Sequence, residues 1–278
     1  MALIQVNFLS ESLMRTVPIN VILPVDKLTK PGMPKREEKP FKTLYLLHGI
    51  FGNYTDWVNG TKIQRWAEEK DLAVVMPSGD NMFYVDQKAS HNYYGEFIGK
   101  ELVEITRKMF PLSRKREDTF IAGLSMGGYG AIRNGLKYHD TFGYIAGLSS
   151  ATIIDELDER TNDTPVFIER RDFAESIFGD LTKVKKSDMN PEWLVNKLVK
   201  EHAELPKLFL ACGIDDSLLE GNRKMRDYMT AAGVDVTYEE GPGAHEWDFW
   251  NRYIKKVIDW LPLDAGTVAG INSGNVGI

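Results

Sequence analysis

Apolar residues fall into two rhythms along this chain. Near-unbroken runs occur at Thr43-Leu-Tyr-Leu-Leu47, Leu72-Ala-Val-Val-Met76, Thr119-Phe-Ile-Ala122, Tyr144 to Leu148 and Lys207-Leu-Phe-Leu-Ala-Cys212. Such runs mark strands buried on both faces. Between them the spacing turns helical: Lys62 to Lys70, Tyr94 to Phe110 (apolar at Phe97, Leu102, Ile105 and Met109, stopped by Pro111), a stretch carrying Ile132, Leu136 and Tyr138, and Leu218 to Ala232. A strand is predicted over Val234 to Glu239 and an amphipathic helix over Trp247 to Trp260. Ahead of all these, Leu3 to Leu9 and Arg15 to Leu23 alternate apolar and polar positions and predict an antiparallel opening to the sheet.

Buried runs alternating with helices predict an α/β protein, a mainly parallel central sheet covered by helices on both faces. The rhythm breaks once. Ala151 to Leu205 is charged and helix-prone, without a buried run, and is expected to be a mostly helical insert or cap region after the sixth strand. Lys27 to Pro40 is rich in proline and charge and reads as a solvated loop. The expected organisation is one domain over 1–263, including the insert at 151–205, and a small-residue, glycine-rich tail over 264–278 that reads as flexible.

With 278 residues the chain is long enough for a sizeable core. Its net charge of −6 and lack of a long basic run argue against nucleic-acid or anionic-membrane partners. A single cysteine, Cys212, excludes an internal disulfide and suits a reducing cytoplasm. The start of the chain lacks the pattern of a signal peptide, and no stretch approaches the ~18 apolar residues of a membrane span. A cytoplasmic, soluble protein is the expectation.

The chemistry gathers around Gly123-Leu-Ser-Met-Gly127, placed between the run at 119–122 and a glycine-rich helix start. Strand, tight Gly-x-Ser-x-Gly turn and helix form the context of a nucleophile elbow, with Ser125 lifted clear of the sheet. The plainer alternative is a βα turn that uses its glycines for packing. A serine hydroxyl needs a base within hydrogen-bond reach. Of five histidines, His139 and His202 read as solvated, His91 lacks an orienting partner, and His245 lies in the loop between the last strand and the last helix, where a base belongs. An orienting carboxylate is expected after the preceding strand, where Asp215 and Asp216 are both available; one of them suits a helix cap. Donors for a developing oxyanion, each worth ~3 kcal/mol, are expected at the Met126 amide and, in His48-Gly49-Ile50, at the Ile50 amide. His48 then supports the loop and is not a base. Cys212 reads as a core thiol. No metal-ligand spacing and no phosphate-cradling motif is present, so no metal and no cofactor is expected.

Six pieces of sequence together resemble the esterase D-like carboxylesterases of the α/β-hydrolase fold, in particular their tributyrin-esterase and acetylesterase branch. They are Phe8 to Pro24, Leu46-Leu-His-Gly-Ile-Phe-Gly-Asn53 with Trp57, Met76-Pro-Ser-Gly79 with Phe83-Tyr-Val-Asp86, Ala122 to Ala131, Cys212-Gly-Ile-Asp-Asp216, and Gly243-Ala-His-Glu-Trp247. The resemblance spans about Phe8 to Pro262. It implies Asp216, in the pattern Gly-x-x-Asp, as the catalytic acid with Ser125 and His245, and an oxyanion hole at the Ile50 and Met126 amides. It also implies substrate-pocket positions at Phe51, Trp57, Phe83 and Tyr84.

The expectation is a serine carboxylesterase acting on short-chain acyl esters: simple aliphatic esters, acetylated sugars or xylan fragments, or feruloyl esters. Hydrolysis of S-formylglutathione and acyl transfer to a sugar are the alternatives within the fold, and a non-enzymatic scaffold the alternative outside catalysis. Small-molecule or oligosaccharide esters are the expected partners, with a homo-oligomer possible.

Overall fold

The computed structural model describes residues 2–27 and 39–263. The loop expected over 27–40 falls mostly, and the tail from 264 wholly, outside the described residues. Eight strands form one sheet: β1 (Ala2–Ser10), β2 (Arg15–Leu23), β3 (Thr43–Leu47), β4 (Ala73–Pro77), β7 (Thr119–Leu124), β8 (Tyr144–Leu148), β9 (Lys207–Gly213) and β10 (Val236–Gly241). Their spatial order is β1-β2-β4-β3-β7-β8-β9-β10. The pairs β1–β2 and β2–β4 are antiparallel, as expected of the opening strands, and every other pair is parallel.

The apolar runs are explained by the two cores they serve. Along β3, Leu44 and Leu46 face one core while Tyr45 and Leu47 face the other. The first of these cores is closed by α1 (Asp56–Gly60), α2 (Ile63–Glu69) and α10 (Trp247–Trp260), through Trp57, Ile63, Trp66, Phe249, Tyr253 and Val257. The second is closed by α3 (Tyr94–Glu96), α4 (Leu102–Met109), α5 (Met126–Lys137) and α9 (Leu219–Ala231). Since both faces of the inner strands are covered, neither face has room for alternating polar residues.

Two local features depart from the sequence expectation. The helix over 94–109 carries a π-helical turn, Phe97–Glu101, where Gly99 lies under the Tyr138 ring too closely to admit a Cβ. A short antiparallel pair, β5 (Asp86–Gln87) and β6 (Asn92–Tyr93), stands where no strand is expected. Between β8 and β9 the described chain forms 3-10 turns and the helices α6 (Arg171–Phe178), α7 (Leu181–Val184) and α8 (Pro191–Lys200). Their Ile177, Phe178, Leu181, Leu194 and Leu198 enter the same core as Tyr129 and Ile132 of α5.

The sheet places the C-terminal ends of β3, β7, β8, β9 and β10 along one edge, where ligands bind in open α/β sheets. No helix among the described residues is long and apolar enough to cross a membrane.

Candidate active site

At the end of β7 the chain turns into α5 through Ser125, whose φ of 53° and ψ of −118° few non-glycine residues adopt. Holding such a residue costs about 1–3 kcal/mol. Three backbone hydrogen bonds offset the strain: the Ser125 amide donates to Leu148 O at 2.9 Å, and the Tyr129 and Ala151 amides donate to Ser125 O at 3.0 Å each. Gly123 and Gly127 make the turn sterically possible. A Cβ on Gly123 would strike the Gly127 carbonyl, and one on Gly127 would strike the carbonyls of Leu47 and His48.

His245 reaches this serine from the loop between β10 and α10. Its Nε2 lies 2.9 Å from Ser125 Oγ and its Nδ1 3.0 Å from Asp216 Oδ2. The ring stands edge-on to Trp250, with centroids 4.9 Å apart and planes at 89°. Asp216 follows β9 with a side chain 0% exposed. Its second oxygen, Oδ1, accepts the Leu218 amide at 2.9 Å. Burial alone would raise its pKa, but hydrogen bonds from His245, the Leu218 amide and the Ser149 hydroxyl hold it below the ordinary carboxylate value. Asp215, one residue earlier, is exposed and donates its amide to Gly243 O at 3.1 Å. The geometry thus separates the two neighbouring carboxylates that residue chemistry alone left equivalent.

The Met126 amide opens α5, and the Ile50 amide lies in the loop after β3. Among the described residues neither is paired with a protein acceptor. His48, 1% exposed, supports this loop from behind. Its Nε2 accepts the Gly79 amide at 2.8 Å, so Nδ1 carries the proton and donates to Gly49 O at 2.6 Å. Burial lowers the His48 pKa and favours this neutral tautomer.

The aromatic positions expected at the substrate pocket divide. Phe51 is 69% exposed beside Ile50 and presents its ring to solvent. Trp57 and Tyr84, 1% and 0% exposed, have no surface to offer a substrate. Trp57 donates its indole N–H to Leu47 O at 3.0 Å and Tyr84 its hydroxyl to His48 O at 2.9 Å, so they carry the loop from within. Phe83 packs on Tyr129 and Phe178. Trp57 and Tyr84 are thus spent in the core, each ring packed and its polar atom hydrogen-bonded to a carbonyl at or after the end of β3.

The remaining histidines lie away from the triad. His91 stacks edge-on to Tyr93, His139 gives its carbonyl to Arg116, and His202 is an exposed residue with φ 53°. Cys212 is buried and its thiol is pushed up to about 12, by burial and then by Asp216. No group of three or more metal-ligating side chains occurs among the described residues. Sequence reasoning missed Asn81, which accepts the Phe51 amide at 2.8 Å, and Asn222, which exchanges hydrogen bonds with both backbone groups of Ser150. An asparagine in Ser-Gly-Asp-Asn reads only as a turn residue, so no signal pointed to it.

A cavity of about 310 Å³ lies against the segments that follow β8 and β9. Thr152, Ser217 and Leu218 line it, next to the segments that hold Ser125 and Asp216. Tyr129, Ile154, Pro191 and Met225 give it apolar surface, and Asp155, Glu156, Glu192 and Glu220 stand on its walls against one lysine, Lys224.

The family model Esterase, described as "Putative esterase", matches residues 10–259. An acetyl esterase of Caldicellulosiruptor saccharolyticus is 45% identical over 261 residues, covering 94% of this chain and 98% of its own. Among solved structures, the substrate-bound fluorophosphonate-binding serine hydrolase FphF of Staphylococcus aureus matches with a TM-score of 0.81 and 35% identity, over 94% of this chain and 98% of that one. The S-formylglutathione hydrolase FrmB of the same organism matches with a TM-score of 0.79 and 36% identity, over the same shares. By fold, site geometry and these likenesses, the chain belongs to the esterase family: it is a serine hydrolase of the α/β-hydrolase fold that acts on small carboxylic esters.

Proposed function

We propose that this esterase hydrolyses short-chain acyl esters, acetyl esters first, through an acyl-enzyme on Ser125. The observation that carries the reading is the unbroken row from Ser125 Oγ to His245 to Asp216, with links of 2.9 and 3.0 Å. Ser125 Oγ attacks the ester carbonyl while its proton passes to His245 Nε2. Asp216 keeps the Nδ1–H tautomer and stabilises the imidazolium. The carbonyl oxygen becomes an oxyanion held by the Ile50 and Met126 amides. Collapse of this intermediate breaks the bond to the alcohol, which leaves with the proton of His245. Water, deprotonated by the same histidine, then attacks the acyl group and frees Ser125. The acetyl preference is supported by the 45% identity with an acetyl esterase.

A second reading, hydrolysis of S-formylglutathione, is favoured by the 36% identity with FrmB. The first reading is preferred on the higher identity, 45% against 36%.

A panel of p-nitrophenyl acetate, butyrate and octanoate, acetylated xylo-oligosaccharide, methyl ferulate and S-formylglutathione tests the reading, with Ser125→Ala as the blank. The acetyl esters are expected to give the highest kcat/KM. Dominance of the thioester would replace the first reading by the second, and turnover persisting in Ser125→Ala would overturn both.

A further inference from the structure

The loop that carries the Ile50 amide closes on itself by one hydrogen bond, from the Gly52 amide to Gly49 O at 3.2 Å. Phe51 adopts φ 66°, a left-handed conformation that costs a non-glycine residue about 1–2 kcal/mol, and its ring is exposed. The strained turn is supported from outside the loop as well. That support comes from the segment after β4. Asn81 Oδ1 accepts the Phe51 amide at 2.8 Å, Ser78 Oγ accepts the Tyr54 amide at 3.2 Å, and the Gly79 amide fixes the His48 ring at 2.8 Å.

These contacts have a geometric consequence at Ile50. A peptide unit is planar, and its carbonyl and N–H point in opposite directions. His48 Nδ1 donates to Gly49 O at 2.6 Å, so the Gly49–Ile50 plane is held by its carbonyl and its N–H is turned the other way. Asn81 holds the next plane, Ile50–Phe51, by its N–H. With both flanking planes clamped, the φ and ψ of Ile50 are both set. Without Asn81, the Ile50–Phe51 plane is free to flip and relieve the left-handed Phe51, and Ile50 loses one of its two supports.

Asn81 is itself anchored. Its neighbour Asp80 is ion-paired to Arg15 of β2 at 2.6 Å and hydrogen-bonded to Tyr94. The Met82 amide closes the turn onto Gly79 O at 3.2 Å. The clamp is therefore tied to the sheet and to the 94–109 helix, and does not float on the surface.

We propose that Asn81 is a positioning residue for the reaction. It never touches substrate, and it aims the Ile50 amide at the oxyanion by holding the Phe51 amide. This inference rests on the reading of Ile50 as an oxyanion donor.

The test is Asn81→Ala, assayed on an acetyl ester and with an arylboronic acid. In the boronate complex Ser125 Oγ forms a B–O bond and its proton passes to His245, leaving a tetrahedral anion that mimics the intermediate. Loss of a whole oxyanion donor costs 10²- to 10³-fold in kcat, and a misplacement of about 1 Å costs ~10²-fold. The expected result is a fall in kcat of roughly 10- to 100-fold with KM changed by less than about threefold. Boronate affinity should fall in parallel, with the melting temperature nearly unchanged. An unchanged kcat, or a lower kcat with undiminished boronate affinity, would overturn the inference. A crystal structure of the wild-type boronate adduct separates the two layers. An adduct oxygen away from the Ile50 amide would reject the oxyanion reading itself. An adduct oxygen on that amide, with Asn81→Ala still binding boronate normally, would reject only the role of Asn81.

Discussion

Ser125, His245 and Asp216 come from three chain segments and meet with two hydrogen bonds of ordinary length. Asp216 is the member whose environment is most specialised. It is shielded from solvent and hydrogen-bonded at both oxygens, while Asp215 beside it faces water. Replacing Asp216 by Asn leaves shape and volume nearly intact, but its amide cannot hold the imidazole in the Nδ1–H tautomer. Asp216→Asn is expected to lower kcat by about 10³- to 10⁴-fold and Asp215→Asn by no more than a few-fold. Steady-state kinetics of the two variants on one ester checks this, and equal losses would contradict it. At this scale the sequence was legible where chemistry demands a residue type at a fixed place. Serine in its elbow and histidine after the last strand both meet that condition. It was not legible where a residue acts through shape. Nothing in the one-dimensional order tells that Trp57 and Tyr84 turn inward to carry carbonyls of the β3 loop, or that Asn81 reaches that loop from 30 positions away.

The elements bring these residues together by close approach. β3, β7 and α5 meet at Gly123 and Gly127, where the backbone of α5 lies against the carbonyls that end β3. Backbone atoms cannot yield as a flexible side chain can, so even one methyl group must push α5 away from the sheet. Gly127→Ala is expected to destabilise the fold by about 1–3 kcal/mol and to lower the melting temperature by some 2–4 °C per kcal/mol. Calorimetry reads this directly, and an unchanged melting temperature would contradict the packing argument. The buried strands were readable because an inner strand serves two cores, which forces a run of apolar residues. The β5–β6 pair and the π-helical turn left no such trace. The first has two residues per strand, and the second holds Gly99 under the Tyr138 ring, a contact made 39 residues along the chain.

At the scale of the whole molecule, the sheet order sets the ends of β3, β7, β8, β9 and β10 along one edge, and the helices between β8 and β9 supply part of the cavity. The chain carries a net charge of −6, and the cavity walls carry more carboxylates than cations. Charge on the whole chain was evident from composition. Its gathering at Asp155, Glu156, Glu192 and Glu220 was not, because these residues come from three separate helical segments. The proposed mechanism requires that this fold activate one serine out of all those in the chain. Intact-protein mass spectrometry after treatment with a fluorophosphonate, followed by peptide mapping, tests it most directly. A single adduct per chain is expected, located on Ser125 and absent from Ser125→Ala. Labelling at another residue, or none at all in the folded wild-type protein, would contradict it.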